Sequence, residues 1–289
     1  MVRRSYGTRE GIDLDKALDT AVGAAKEAGE IIRKTFRTGI VDKVKTDTDP
    51  VTETDLACEA VVKAAISQSF PAHAFLGEEE SGGSYSISDA PTWVCDPVDG
   101  TANFLHGVEF TCVCVALVVN KRPLVGVVYN PVSREMFTAV VGGGAYVTIE
   151  GQDVPPQRLQ PSTVEHMQNA AIVTELGSNR DPATVDQKLK VMHAVVQAPI
   201  QALRCMGSCA LNMCYVAAGR FDGYYEWGMH PWDVAAAWCV CAEAGAVLTD
   251  LDGEQFSLTA RRTLVANRHV HPQLCKLICD AGAPGSKGS

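Results

Sequence analysis

Over residues 13–36 the apolar positions Leu14, Leu18, Ala21, Val22, Ala25, Ala28 and Ile32 fall on one stripe, the spacing of an amphipathic helix. Asp13 suits its N-cap and Gly39 its stop. Residues 56–70 repeat the helical pattern, with Thr54 or Asp55 near the start. Two short apolar runs, 74–77 and 92–95, lead into acidic residues, and we read them as strands that deliver carboxylates from their C-terminal ends. From 111 to 145, valine-rich stretches are broken by Asn120-Lys-Arg-Pro123 and Asn130-Pro-Val-Ser133, which predicts successive antiparallel strands joined by turns. The polar, proline-rich stretch 151–162 reads as a loop. Beyond it the elements alternate. A strand at 170–175 precedes helices at 186–196 and 208–218, and a strand at 224–226 precedes an apolar helix at 232–244. Gly245 sits where a C′ glycine belongs. Buried strands at 247–248 and 264–265 and a closing helix at 271–280 complete the chain. This alternation predicts a layered α/β or α+β architecture. Its parts are residues 1–150, residues 151–280 and a flexible tail at 281–289, the whole forming one compact unit.

A length of 289 residues allows a large buried core, and 46% hydrophobic with 20% charged residues fits a globular chain. The net charge of −9 repels polyphosphate backbones and sets nucleic acid aside as a partner. A phosphorylated small molecule is compatible with that field only if cations at the site become the largest local charges. The 11 cysteines lie mostly in apolar runs such as Cys112-Val113-Cys114-Val115 and Trp238-Cys239-Val240-Cys241. None shows the C-x-x-C spacing of a zinc or redox site, so they read as reduced core thiols of a cytoplasmic protein. The charged N-terminus is not followed by the apolar stretch of a signal peptide. The longest apolar run, 112–119, is too short to span a bilayer, which sets a membrane partner aside.

The most informative segment is Trp93-Val-Cys-Asp96-Pro-Val-Asp99-Gly-Thr101-Ala-Asn103-Phe104. The strand is expected to end with Asp96 at its tip. Pro97 turns the chain, and Asp99 aims back at the same point. With the Val98 carbonyl between them, three oxygens can converge on a hard cation such as magnesium. Gly100 permits close backbone approach. Taken alone, the same residues could make an ordinary turn. Three further acidic groups stand in comparable places. Gly77-Glu78-Glu79-Glu80 could be a solvated surface turn, whereas Trp232-Asp233 and Thr52-Glu-Thr54-Asp55 could be simple helix caps.

Asp96-Pro-Val-Asp99-Gly-Thr101 with Asn103-Phe104, preceded by Gly77-Glu78-Glu79 and followed by Trp232-Asp233-Val-Ala-Ala236, resembles the two signature motifs of the inositol monophosphatase family. The resemblance includes Asp49-Pro-Val-Thr-Glu-Thr-Asp55, Thr174-Glu-Leu-Gly-Ser178, Met206-Gly207-Ser208 and Tyr224-Tyr-Glu226. It implies the α-β-α-β-α sandwich this family shares with fructose 1,6-bisphosphatase. Metal and phosphate binding would then fall to 1–150, and substrate specificity to 151–280. It also implies hydrolysis of a phosphate monoester with two to three Mg2+ ions. Glu78, Asp96 and the Val98 carbonyl would hold one, Asp96, Asp99 and Asp233 a second, and a weaker third would lie near Glu78. Thr101 and Asp55 match the pair that orients the attacking water, and the Gly100 and Thr101 amides match the phosphate cradle. Glu79 would support the metal ligands, and Lys45 matches a basic residue near the site. The loop from Lys45 to Asp55 is one residue shorter than the family pattern.

Glu226 matches the family residue that accepts hydrogen bonds from inositol hydroxyls, and Asp99 could accept another. Ser178, Gly207, Ser208 and Cys209 match the pocket rim, with Cys209 standing where the family has a small alanine. The implied protein is a cytoplasmic, lithium-sensitive inositol-1-monophosphatase acting as a homodimer. Its alternatives are sister enzymes for histidinol phosphate, 3′-phosphoadenosine 5′-phosphate or fructose 1,6-bisphosphate. A non-catalytic metal-binding relative would lack a ligand carboxylate or Thr101, and all are present.

Overall fold

The computed structural model describes residues 5–38, 43–46 and 49–285, with side chains described for 5–38 and 52–285. Gly39, the Lys45 side chain and residues 286–289 of the expected tail lie outside that description. Helix α1 (Leu14–Thr35) starts where the Asp13 carboxylate accepts the Lys16 N–H at 3.0 Å. Its buried line includes Ala17, Ala21, Ala24, Ala25 and Ala28, while Leu18 and Val22 are only half-buried. The small residues win the inner face because α1 lies close against the sheet: a Cβ on Gly29 would collide with the Tyr129 ring. Helix α2 (Glu53–Ser69) begins earlier than its apolar pattern suggests. Thr52 and Asp55 form a capping box, in which the Thr52 N–H donates to Asp55 Oδ2 at 2.8 Å and the Asp55 N–H donates to Thr52 Oγ1 at 3.3 Å.

Seven strands form the larger sheet: β1 (Ala74–Gly77), β2 (Thr92–Asp99), β3 (Cys112–Val119), β4 (Arg122–Asn130), β5 (Glu135–Val140), β6 (Gly144–Ile149) and β7 (Gln157–Arg158). They lie in the order β7-β6-β5-β4-β3-β2-β1, antiparallel except that β1 runs parallel to β2. The small strand β7 falls inside the stretch expected to be loop. A second correction concerns β2. It does not end at Cys95 but continues through Asp99, with a register shift: Asp96 pairs with Cys114 and Asp99 with Cys112. Three steps on β2 therefore oppose two on β3, which is a β-bulge. Pro97 explains it, because a residue without an N–H cannot keep the ladder regular.

The smaller sheet holds β8 (Ala171–Thr174), β9 (Ala202–Arg204), β10 (Gly223–Trp227), β11 (Val247–Thr249) and β12 (Arg262–Ala266) in the order β9-β8-β10-β12-β11. Helices α5 (Pro182–Gln197), α6 (Cys209–Ala217), α7 (Pro231–Ala244) and α8 (Val270–Asp280) complete the second half. Gly245 adopts φ +90° at the end of α7, as a C-terminal glycine should.

Three apolar cores separate five layers. One joins α1 and α2 to the face of the large sheet carrying Trp93, Val113, Val115 and Val127. The second joins the opposite face, with Val94, Cys114 and Val128, to α6, α7 and the small sheet through Tyr224 and Val265. The third packs Ile172, Tyr225 and Leu264 against α5 and α8 through Val191, Val195, Leu274 and Ile278. The order is therefore α-β-α-β-α. Helices on both faces explain why all eight residues of β3 are buried, so its sequence runs apolar without alternation. All 11 cysteines are free: eight are buried, Cys275 is half-buried, and Cys205 and Cys279 are exposed. Among the described residues no helix is long and apolar enough to cross a membrane.

Candidate active site

The β2 bulge folds its acidic residues back on one another. The Val98 N–H donates to Asp96 Oδ1 at 3.0 Å. Thr101, the first residue of α4 (Thr101–His106), places its hydroxyl 3.0 Å from the Val98 carbonyl and 3.4 Å from Asp55 Oδ1. Gly100 precedes it at φ +88°, and a Cβ there would stand 3.0 Å from the carbonyl oxygens of both Gly207 and Phe110. That close approach in the left-handed region requires glycine. Asn103 ties the neighbouring loops together, donating to the Phe110 carbonyl at 2.8 Å and the Met206 carbonyl at 2.7 Å.

Asp96 and Asp99 lie on the sheet face toward α6 and α7. Asp99 Oδ2 accepts from the Ser208 hydroxyl at 2.5 Å and the Ala210 N–H at 2.8 Å, and the Cys112 thiol lies at 3.7 Å. Asp233, in the first turn of α7, accepts the His230 N–H at 2.6 Å. Glu78 opens the short helix α3 (Glu78–Ser81) directly after β1. Burial, then the charges of Glu78, Asp99 and Asp233, pushes the Asp96 carboxyl well above the usual range. Burial followed by Glu78 and Asp99 does the same to Asp233. Asp99 is raised by burial to about 6, against hydrogen bonds that lower it. Among the described residues none of these three aspartates is ion-paired with a lysine, arginine or histidine. Buried like charges without a cationic partner are costly unless a metal neutralises them. The donors are carboxylate and carbonyl oxygens, which suit a hard cation such as Mg2+.

The tightest group of three metal-ligating side chains among the described residues is different: Asp99 with Cys112 and Cys114. Burial raises both thiols, so they remain protonated and stand behind Asp99 as neighbours unsuited to magnesium.

Asp55 is buried, and burial raises its carboxyl to about 6 despite the Thr52 hydrogen bonds. On the far side of Asp99, Glu226 is buried on β10 and raised by burial to about 7, with Lys188 pulling it down and the Tyr224 hydroxyl donating to it. Ser208 is almost fully buried, capping α6 through Leu211 N–H at 3.2 Å while holding Asp99. Cys209 is buried behind it. Gly207 and Ser178 are exposed on the loops that precede α6 and follow β8. The Glu79 N–H donates to Glu59 Oε2 at 2.8 Å. The Lys45 side chain lies outside the described residues.

Two positioning residues escaped the sequence reading. Glu59, on α2, accepts the Glu79 and Glu80 N–H groups at 2.8 Å each and so caps the turn that carries Glu78. Its signal was the bare Gly77, whose Cβ would collide with the Glu59 carboxylate. Glu175 Oε1 accepts the Met206 N–H at 2.6 Å, the Gly207 N–H at 2.7 Å and Asn212 Nδ2 at 2.9 Å, fixing the loop that faces Gly100. Its place in the Thr174–Ser178 motif was visible, but its partners were not.

Residues 13–283 match the sequence model described as the inositol monophosphatase family. Inositol monophosphatase 2 of Solanum lycopersicum is 43% identical over 261 residues, covering 89% of this chain and 96% of that protein. Inositol monophosphatase 1 of Sus scrofa is 40% identical over 267 residues, covering 91% and 94%. Among solved structures, the extragenic suppressor protein suhB from Bartonella henselae superposes with a TM-score of 0.80 at 28% identity, over 91% of this chain and 98% of that one. The Thermotoga maritima IMPase superposes with a TM-score of 0.79 at 29% identity, over 92% and 97%.

Proposed function

The chain belongs to the inositol monophosphatase family and is a phosphatase, and from that premise we propose that it hydrolyses inositol monophosphate with magnesium at the Asp96, Asp99 and Asp233 cluster. The observation that carries this reading is the set of buried, mutually repelling carboxylates beside the Thr101–Asp55 pair. Glu78, Asp96 and the Val98 carbonyl would hold one ion, Asp96, Asp99 and Asp233 a second, and a third would lie near Glu78. Bound there, magnesium supplies Lewis-acid charge neutralisation and a water of lowered pKa.

The remaining work falls to the chain itself. The Thr101 hydroxyl has one hydrogen and two acceptors in reach, Asp55 Oδ1 and the Val98 carbonyl. Directed to Asp55, it leaves its lone pairs free to accept from the attacking water and so orients it. Asp55, raised to about 6, is mostly ionised at neutral pH and still basic enough to take up the proton. The Gly100 and Thr101 amides would hold the phosphate. Asp99 and Glu226 would accept hydrogen bonds from the sugar hydroxyls, with Ser178, Gly207, Ser208 and Cys209 around them. Glu79 and Lys45 would support the ion set.

Phosphate release from myo-inositol 1-phosphate should require magnesium, stop on chelation and return when magnesium is restored. Turnover that survives chelation would overturn the metal reading. Against histidinol phosphate, 3′-phosphoadenosine 5′-phosphate and fructose 1,6-bisphosphate, inositol phosphate should give the highest kcat/KM. A higher value for another member would move the assignment to it. The same aspartate set motivates lithium as an inhibitor, to be read as a graded loss of turnover with added lithium. A homodimer, implied by the family resemblance, is checked by sedimentation.

A further inference from the structure

Helix α5 presents Lys188, Val191 and Val195 to the interior, so a lysine occupies the first place of an otherwise apolar stripe. Its side chain is 4% exposed, where an ammonium is rarely found without a role. Nζ donates to the Leu176 carbonyl at 2.8 Å and stands 5.2 Å from the centre of the Trp227 ring. It is the sole hydrogen bond of that ammonium among the described residues, although three N–H groups are available. A Cβ placed on Gly177 would lie 3.0 Å from Nζ and 3.6 Å from Glu226 Oε1. Both charged groups therefore face one point of the 176–178 loop, on the side of the site assigned above to the polyol.

The surroundings of Glu226 are otherwise acidic or weakly acidic. Glu175 at the end of β8, Asp99 on β2 and Asp233 on α7 all bear on it. Cys209 on α6 and Cys205 on the preceding loop lie within its field, and Tyr224 donates to it from its own strand. Lys188 is the cation acting against them. Arg180 acts on Lys188 from the α5 approach. An ionised carboxylate only accepts hydrogen bonds, whereas its protonated form also presents a donor, so the charge state of Glu226 decides which hydroxyl arrangement it can hold.

We propose that Lys188 is a positioning residue for substrate recognition, which keeps Glu226 an acceptor for sugar hydroxyls and tethers the 176–178 loop over the pocket. The inference rests on the reading of Glu226 as the polyol acceptor. The relevant quantity is the ratio of kcat/KM for myo-inositol 1-phosphate to that for phenyl phosphate, which carries no sugar hydroxyls. Ionisation of the phosphate and of the metal-binding carboxylates is common to both substrates and largely cancels in that ratio. In the wild type it should rise with pH around a midpoint of about 7. In K188M and K188Q the midpoint should move up by about one unit, so that at pH 7 the ratio falls about fivefold, through KM, approaches a tenfold fall at lower pH and recovers at alkaline pH. K188Q keeps a donor for Leu176 without the charge, and K188R should restore the wild-type profile.

A ratio lowered equally at every pH, with the midpoint in place, would reduce Lys188 to packing and overturn the proposal. A wild-type selectivity that E226Q abolishes and K188M leaves unmoved would overturn this inference alone. Selectivity unaffected by E226Q would overturn the substrate reading and this inference with it. Thermal melts of each variant separate misfolding from either result, and K188Q serves if K188M does not fold.

Discussion

Asp55 and Asp233 each stand where a capping residue and a functional carboxylate would look the same in sequence. The structure gives each the capping contact, with the Thr52 N–H on Asp55 and the His230 N–H on Asp233. Asp55 also turns its other oxygen to Thr101. D55N keeps an oxygen that can accept the Thr52 N–H and removes a carboxylate that burial has raised to about 6, so its stability at neutral pH should be no lower than that of the wild type. The kcat of D55N should drop by a factor of about 10²–10⁴, the usual weight of a proton acceptor. Melting curves and steady-state rates check the two halves separately. Asp96 makes the same case more strongly, because burial and three neighbouring carboxylates set its charge against folding of the metal-free protein. D96N should melt at a higher temperature than wild type in chelator, fail to gain stability from magnesium, and lose turnover by about 10³-fold or more. A variant with near-wild-type turnover would refute its role.

Helix α7 carries Asp233 at one end and is seated on the large sheet at Gly126 of β4, where a Cβ would collide with the Ala236 carbonyl. At its other end Glu243 accepts the Gly142 and Gly144 N–H groups at 2.8 Å each. G126A should cost about 1–3 kcal/mol through overpacking against a backbone that cannot yield. It should also weaken magnesium binding, because the helix that moves is the one that positions Asp233. Denaturant midpoints and a magnesium titration of the same protein test both effects together. At this scale the sequence was informative wherever one residue reported its own environment. The apolar stripes marked the helices, Gly245 marked the end of α7, and the acidic residues after β1 and in the last half of β2 marked the candidate site. It was silent where partners are distant along the chain. The β2 bulge depends on its pairing with β3, β9 is short and takes its hydrogen bonds from β8, and Glu59 and Glu175 act only through backbone amides far away in sequence.

For the molecule as a whole, the buried aspartates couple stability to pH, and magnesium bound at the proposed site should couple it in the opposite sense. Burial raises Asp96 and Asp233 well above the ordinary range and Asp99 to about 6. Between the unfolded value of about 4 and those folded values the native state binds more protons than the unfolded chain, so stability falls as pH rises. The contribution is fully present below about 4 and is lost as pH climbs through 6 and beyond. Magnesium binds only the ionised carboxylates, so its stabilisation should grow over the same range. Urea midpoints of wild type minus D96N, with chelator and with magnesium, isolate this behaviour from other titrating groups. A difference that stays flat across the range in chelator would contradict it.

The distribution of sulfur gives the fold an internal clock. Eight thiols are sealed in the layers while Cys205 and Cys279 meet solvent. An alkylating reagent should first label those two, slowly, since burial raises both thiols and leaves little thiolate. Cys205 lies within the field of Glu175 and Glu226, so a sugar ligand in the pocket should shield it and leave Cys279 unaffected. Half-buried Cys275 should follow, every label after it requires a layer to separate, and mass spectrometry of the sealed set would time that event one cysteine at a time.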